Sequence, residues 1–365
     1  MEGKRFAFLA HRVEIWNYLL PMKNDRRFLC RWFKGLKNLH CAPEYASDWK
    51  WLYPYCVLMS VFFLLGRKAY DIVDRFGFSN LSGTTCLLRN FGWHFFIPFK
   101  KIQRRLIKKR ILRAVLDLQD SVDVIGLGAL AKAQWLTQGG EWIVKELGDK
   151  LKVPLVHGDT LTAETVVQNV LRTKLRTPVI ISGATSKIGR AVALSLARRD
   201  YKVYMYTQDQ ERFLKIYEEA GAYKENIFWL RDLAEAKNCL LWITGKAVPA
   251  GKKLLKYVPE GATVINFSVP DPISEELKKE YQDRVDFIEG GLLYCDKRHT
   301  SYFGPDNGLS FTMRLRPDAR YACQVGTMVH AHEGWTHHEV GKVELDQMPV
   351  VWLLSRRLGF YLKPR

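Results

Sequence analysis

The chain has 365 residues, 47% hydrophobic, 13% aromatic and 26% charged, which is too apolar for broad disorder and long enough for two or three domains. Its formal charge of +18 is uneven: residues 1–110 hold 21 Lys and Arg against 7 Asp and Glu, leaving +4 for the other 255. No zinc-finger spacing or RNA-binding aromatic motif accompanies the charge, so it is assigned to a membrane surface and no nucleic-acid partner is expected.

Residues 1–115 are read as a basic, aromatic, partly hydrophobic helical region associated with a membrane. The run WLYPYCVLMSVFFLLG (51–66) carries no charge, but Pro54 interrupts it. It falls short of the ~20 residues of a spanning helix, which leaves an interfacial, re-entrant or buried core helix. Downstream, in WHFFIPFKKIQRRLIKKRILRAVLDL, Ile102, Leu106, Ile107, Arg110 and Arg113 recur at helical spacing. Lys101, Arg104, Arg105, Lys108 and Lys109 crowd the polar side, a pattern suited to anionic lipid. The seven cysteines (30, 41, 56, 86, 239, 295 and 323) show no paired short spacing. With no secretory signal at the N-terminus, a reducing environment is expected.

From about 116 the pattern becomes α/β. Residues 116–176 hold two short apolar strands, in SVDVIGLG and KLKVPLVHG, and a helical segment, LTAETVVQNVLRTKL; this part is assigned to substrate binding. Residues 177–345 alternate strand and helix regularly, with strands in PVIIS, KVYMYT, NCLLWITG, GATVINFSV and VDFIEGGLL. The expected fold is a doubly wound, Rossmann-like parallel sheet covered on both faces, followed by a tail at 346–365.

The strand PVIIS runs into Gly183-Ala-Thr-Ser-Lys-Ile-Gly189 and then the helix GRAVALSLARR. In a dinucleotide fold the first glycine makes the tight turn, the last permits close packing, and the helix N-terminus receives the pyrophosphate. Gly183, Thr185, Ser186, Lys187, Ile188 and Gly189 are therefore the candidate cofactor contacts. Ser186 replaces the usual middle glycine but offers a hydroxyl and an N–H, and Lys187 could neutralise a phosphate. The second strand ends without the acidic residue that would favour NAD. Asp209 and Arg212 follow, and Arg212 could pair with a 2′-phosphate, so NADPH is the expected cofactor; the alternative is that both flank a helix start.

The segment DARYACQVGTMVHAHEGWTHHEVG (318–341) gathers Cys323 with four histidines. On a continuous helix Cys323 and His330 are ~10.5 Å apart along the axis, so His330 cannot be the immediate base of the thiol. HEGWTHHE lacks the i, i+4 histidine pair of a zinc helix, and no metal is expected. Cys323 is a candidate nucleophile for acyl transfer, with Tyr321 and His330 as supporting groups. No lysine stands at the Tyr-x-x-x-Lys spacing of a short-chain dehydrogenase.

Residues ~120–345 resemble the C-terminal domain of the plant wax-forming (eceriferum-type) proteins and, more distantly, the cyanobacterial long-chain acyl-[acyl carrier protein] reductases. The resemblance rests on VIGLGALAKAQWLTQGG (124–140), VHGDTLTAETVV (156–167), SGATSKIGRAVALSLARR (182–199) and HAHEGWTHHEVG (330–341). Asp159 stands where the reductases have asparagine, and Ser186 where they have glycine. Their acyl-bearing cysteine falls on Ala322-Cys323, and QERF (210–213) resembles the segment after their second strand, which supports Arg212. The resemblance implies NADPH-dependent reduction of a long-chain acyl thioester, from acyl-CoA or acyl carrier protein, at an endoplasmic reticulum or other intracellular membrane, with wax-synthesis partner proteins. The plant proteins' histidine clusters have no counterpart here, because the histidines before 150 are His11, His40 and His94. Their absence, with Ser186, leaves the alternative of a non-catalytic interaction subunit whose nucleotide site is vestigial.

Overall fold

The computed structural model describes residues 3–12, 66, 68–91, 100–236, 239–245, 254–268, 271–296, 300–303 and 318–363. The apolar run at 51–66, apart from Gly66, lies outside the described residues, as do His40, His94, Cys30, Cys41 and Cys56. In chain order the elements are β1 (Lys4–Arg12), β2 (Tyr70–Phe78), β3 (Leu81–Phe91), α1 (Lys100–Leu118), β4 (Val124–Leu127), β5 (Leu155–Val156) and α2 (Asp159–Thr173). They continue with β6 (Val179–Ser182), α3 (Lys187–Ala197), β7 (Val203–Tyr206), α4 (Gln210–Glu219), β8 (Ile227–Leu230), β9 (Leu241–Thr244), β10 (Ala262–Asn266), α5 (Glu275–Tyr281) and β11 (Val285–Glu289). The chain closes with β12 (Leu292–Cys295), β13 (Thr300–Phe303), β14 (Ala319–Tyr321), α6 (Ala322–His332), α7 (Met348–Arg357) and β15 (Phe360–Tyr361).

Strands β6 to β11 form one all-parallel sheet in the order β11-β10-β9-β6-β7-β8. The chain winds outward from β6 to one edge, then returns to β9 and winds to the other. This is the doubly wound order, with its topological switch point between β6 and β9. The strands at its centre are continuous apolar runs because both faces are covered: VIIS and LWIT are buried at every position. Ala163, Val166, Val167 and Val170 of α2 and Val192 and Leu196 of α3 pack with Val179, Ile181, Val203 and Ile243.

A second sheet, ordered β13-β2-β3-β1-β4-β5, joins strands from both sides of residue 116. Strands β3, β1, β4 and β5 are parallel, and β2 and β13 add antiparallel edges. The expectation of a helical N-terminal region holds for α1, whereas residues 4–12, 70–78 and 81–91 are strands. Their pairing explains why the sequence hides them: β1 pairs with β3, more than seventy positions away, and with β4, which is farther still.

Helix α1 covers this second sheet through Ile107, Ile111, Ala114, Val115 and Leu118, packed with Leu9, Leu88 and Ile125. Its apolar face thus differs from the expected one: Ile102 and Leu106 are exposed. Arg110 is buried and donates to the carbonyls of Arg89 (2.5 Å) and Gly66 (3.4 Å). Packing on the sheet covers only Ile107 and Arg110 of the face that the sequence offered to lipid. Among the described residues no helix is long and apolar enough to cross a membrane. Helix α6 packs through Val325, Met328 and Val329 on Phe6 of β1, Val124 of β4, Leu161 of α2 and Leu293 of β12. A Cβ at Gly126 of β4 would lie 2.3 Å from Thr327 Oγ1, so the helix sits directly on that strand.

Candidate active site

Three helices start at the same place. Asp159 is the first residue of α2, Lys187 the first of α3, and Cys323 the second of α6. Helix N-termini carry unsatisfied N–H groups and partial positive charge, so their meeting favours anionic groups. Gly158 makes the convergence possible. It precedes α2 at φ +64°, and a Cβ there would lie 2.1 Å from the carbonyl oxygen of Cys323.

Lys132, at the end of a 3₁₀ turn (Ala129–Lys132) after β4, reaches into this crossing. Its ammonium donates to Asp159 Oδ1 (2.5 Å) and to the carbonyl of His157 (2.7 Å), and its charge acts on the Cys323 thiol. These bonds use two of the three donors of the ammonium. From the other side Lys187 Nζ lies 2.6 Å from Asp159 Oδ2. That contact is an ion pair without hydrogen-bond geometry, and Lys187 Nζ makes no hydrogen bond among the described residues.

The charges follow from these contacts. Burial opposes ionisation of Asp159, but Lys132, Lys187 and His157 outweigh it and hold the carboxyl well below its usual range. Burial alone would lower Lys132; Asp159, Cys323 and Glu339 reverse this and hold it above its ordinary value. Lys187 is displaced downward, because burial and the Lys132 charge exceed the support from Asp159 and Glu339. The Cys323 thiol is raised, burial exceeding the help of Lys132 and of its own helix backbone. Among the described cysteines, Cys86, Cys239 and Cys295 are buried and only Cys323 is partly exposed.

A second layer backs the first. Thr160 Oγ1 donates to Glu339 Oε1 (2.7 Å), and the Asp159 amide donates to His157 Nδ1 (3.0 Å). Glu339 Oε1 is also 3.0 Å from that nitrogen. One nitrogen cannot accept from the amide and donate to the carboxylate at once, so the proton on His157 selects between them. Burial raises Glu339 and His157 and Thr160 lower it, with a net shift downward.

The expected cofactor residues share one turn at the C-terminal end of β6. Gly183 adopts φ +72°, Ser186 N–H donates to its carbonyl (2.9 Å), and a Cβ at Gly189 would lie 2.4 Å from that oxygen. Thr185 lies in the turn and Ile188 packs on the core. The Ser186 hydroxyl caps α3 by accepting from Gly189 N–H (3.1 Å), and Lys187 turns toward Asp159 rather than into solvent. Arg212 is on α4, just beyond β7, largely exposed and 3.2 Å from Asp209 Oδ2.

The two supporting groups expected for Cys323 lie elsewhere. His330 Nε2 is 2.8 Å from the carbonyl of His337, and its ring packs edge-on against Trp335 and His337. Burial pushes it down to about 4, so it is neutral. Tyr321 ends β14 opposite Leu292 and packs in the small sheet β14-β12-β15.

The family model described as CER1-like, C-terminal domain, matches residues 179–283, from β6 through α5. The chain carries a CER1-like C-terminal domain. It is homologous to the plant wax-biosynthesis proteins of that group. A very-long-chain aldehyde decarbonylase GL1-2 of Oryza sativa subsp. indica is 34% identical over 275 residues, covering 74% of this chain and 40% of the relative. GL1-1 of the same plant is 29% identical over 365 residues, 98% of this chain and 53% of the relative. CER1 of Arabidopsis thaliana is 24% identical over 332 residues, 89% and 49%. The chain spans about half the length of the curated relatives it matches. Quinate dehydrogenase from Corynebacterium glutamicum, in complex with NAD, aligns over 96% of this chain and 99% of its own with 11% identity and a TM-score of 0.42, too low to argue from.

The CER1-like match ends before α6, so the thiol crossing is defined by the fold and not by the matched segment. Sequence reasoning passed over Lys132, His157 and Glu339, and noted Asp159 only as a departure. Their signal was present in another form. Lys132, Asp159, Lys187 and Glu339 each come from one of the blocks at 124–140, 156–167, 182–199 and 330–341, and all of them face one another.

Proposed function

We propose that the chain is an NADPH-dependent reductase that takes a long-chain fatty-acyl group from a thioester of coenzyme A or acyl carrier protein onto Cys323 and releases a fatty aldehyde. The observation that carries this reading is the close approach of α6 to Gly158, which sets Cys323, the described cysteine that is not fully buried, beside the charged cluster of Lys132, Asp159 and Lys187. Cys323 is the second residue of α6, and the cluster beside it includes Lys187, which opens α3 just past the C-terminal end of β6. Open α/β sheets bind ligands there, at the C-terminal ends of their strands.

The residues present fit the cofactor. The turn from Gly183 to Gly189 is closed tightly enough for a pyrophosphate to approach the first turn of α3. The buried Lys187 Nζ lacks a hydrogen bond, and Arg212 lies beyond β7 where an adenosine 2′-phosphate would reach it. When bound, NADPH supplies the hydride. The Cys323 sulfur attacks the acyl carbonyl, forming the S–C bond as the carrier's S–C bond breaks, and the thiol proton leaves with the carrier thiolate. After reduction the Cys323 S–C bond breaks, C=O re-forms and the sulfur regains a proton from solvent. The sum is acyl thioester, NADPH and H⁺ to aldehyde, carrier thiol and NADP⁺.

The rice relatives are very-long-chain aldehyde decarbonylases by name, which suits an aldehyde as product here. The setting we propose is the endoplasmic reticulum or another intracellular membrane surface, alongside partner proteins of wax synthesis. Contact with lipid would use the basic side of α1, since its apolar side covers the sheet.

A second reading, an interaction subunit with a vestigial nucleotide site, is favoured by the Ser186 hydroxyl serving as a cap and by Lys187 already neutralised by Asp159. Titration of the full chain with NADPH and NADH, followed by trapping of a labelled long-chain acyl group, separates the two. NADPH binding with acyl label lost in Cys323→Ser supports the reductase. Failure of both binding and trapping in the wild-type chain leaves the interaction subunit.

A further inference from the structure

We propose that the outward face of α1, with Trp135 beside it, is a lipid-binding patch: Ile102 and Leu106 insert between the headgroups of a bilayer, while Lys101, Arg105 and Lys109 bind the phosphates of anionic lipids. This deepens the membrane setting given above and rests on it, but it is independent of the reductase chemistry.

Helix α1 has two unlike sides. Ile107, Ile111, Ala114, Val115 and Leu118 are buried against the second sheet. On the opposite side Ile102, Arg105, Leu106, Lys109 and Arg113 follow at steps of three and four residues, and all five are exposed. Ile102 is 61% exposed and Leu106 41%. Single apolar residues on a surface need no explanation. Here two of them stand one turn apart among cations.

The charge of the helix is unbalanced. Its sequence holds eight Lys and Arg against one acidic residue, Asp117, near its C-terminal end. Lys101, Arg105 and Lys109 make no hydrogen bond or ion pair among the described residues. Exposed cations elsewhere are paired, as Lys152 is with Asp120 (2.8 Å) and Lys215 with Glu211 (2.6 Å). Like charges one turn apart repel. The row 101, 105, 109 and 113 therefore opposes the helix, which its buried side holds in place, and an anionic surface would relieve that repulsion.

The apolar groups select a bilayer over an acidic protein. Trp135 lies on a short helix (Gln134–Thr137), is 42% exposed, and has the Arg104 guanidinium stacked 4.6 Å from its ring centroid. Lys108 stacks on Trp142 in the same way, at 4.1 Å. An indole, apolar in body and polar at its N–H, favours the membrane–water boundary. A partner that offered charge alone would satisfy the cations and leave Ile102 and Leu106 in water, whereas a bilayer with anionic headgroups takes both. Trp135 stands three residues beyond Lys132, which bonds Asp159, so one stretch of chain contributes to the patch and to the charged cluster.

The test is co-flotation of the full chain with vesicles of phosphatidylcholine, alone or with about one phosphatidylserine in three, at about 0.1 M salt. The wild-type chain should bind the anionic vesicles and lose most of that binding without phosphatidylserine or at about 0.5 M salt. A basic residue near an anionic surface strengthens binding about fivefold, so Lys101→Gln/Arg105→Gln/Lys109→Gln should weaken it about 100-fold. Ile102→Ser/Leu106→Ser should weaken it roughly 5- to 30-fold. Lys152→Gln/Lys202→Gln/Lys215→Gln removes the same charge elsewhere and should stay within about twofold of wild type. Every substituted side chain is exposed, so the fold is kept.

Unchanged binding in the triple variant of α1 overturns the patch and leaves the membrane setting to other residues. An equal loss in the control triple variant also overturns it, since the attraction is then general. Full binding by Ile102→Ser/Leu106→Ser overturns it too, and marks the face as a site for an acidic protein. No binding by the wild-type chain removes both the patch and the membrane setting. NADPH titration and acyl trapping without vesicles should be the same in the α1 variants and in wild type, so failure of the reductase reading is read separately.

Discussion

Replacing Gly158 by alanine tests the geometry on which the site depends. The new Cβ would stand 2.1 Å from the Cys323 carbonyl oxygen and 2.7 Å from its carbonyl carbon and Cα, where ordinary contact begins at 3.4 Å. All three are backbone atoms, so no side chain can swing aside, and the start of α2 or of α6 must shift by more than 1 Å. Helix α6 cannot retreat freely, because Thr327 already bears on Gly126. Overpacking of this kind costs about 1–3 kcal/mol, and holding alanine at φ +64° adds about 1–2 kcal/mol. Gly148→Ala is the matched control: it has φ +49° and nothing within 4 Å, so it carries the backbone strain alone. Urea unfolding followed by tryptophan fluorescence should show Gly158→Ala losing about 1–3 kcal/mol more than Gly148→Ala. Equal losses in the two variants would refute the close crossing of α2 and α6.

Acid should weaken the fold before it touches the carboxylates. Burial lowers His330 from 6.5 to about 4 and His11, whose Nδ1 accepts from the Leu130 amide, from 6.5 to about 3. The unfolded chain therefore binds the extra protons. The stability from keeping each ring neutral is full above pH 6.5 and is lost as pH falls toward the folded value. Between pH 7 and 4.5 each histidine should account for about 2–3 kcal/mol, and His330→Asn should flatten the decline in urea midpoint; a wild-type midpoint independent of pH over that range contradicts it. Arg212→Ala should weaken NADPH binding about 5- to 30-fold and leave NADH nearly unaffected, from the ~1–2 kcal/mol of an exposed charge-assisted contact. Equal weakening of both by fluorescence titration would remove the 2′-phosphate contact.

Much of the doubly wound half was legible. Short apolar runs such as VIIS and LWIT, each followed by a turn or helix signal, carry their own pattern because both faces of the sheet are buried. Ser186 and Asp209 stand at helix starts as their residue types suggest, each accepting an N–H from its own first turn. The sheet built on β1 and β3 was not legible, since these strands define each other only through pairing across a long stretch of chain. The face of α1 was misjudged for the same reason: a charged helix shows where it is apolar, and only its neighbour decides which residues are covered.

The sequence by itself determined the glycine turn after β6, the lone thiol of α6 and the resemblance blocks, because these depend on residue type and local spacing. The tertiary structure alone decided that Lys132, Asp159, Lys187 and Glu339 meet around Cys323. These side chains are separated by up to about two hundred positions and share no periodicity. They come together because three helices begin at one crossing, and Gly158 lets two of those backbones approach that closely.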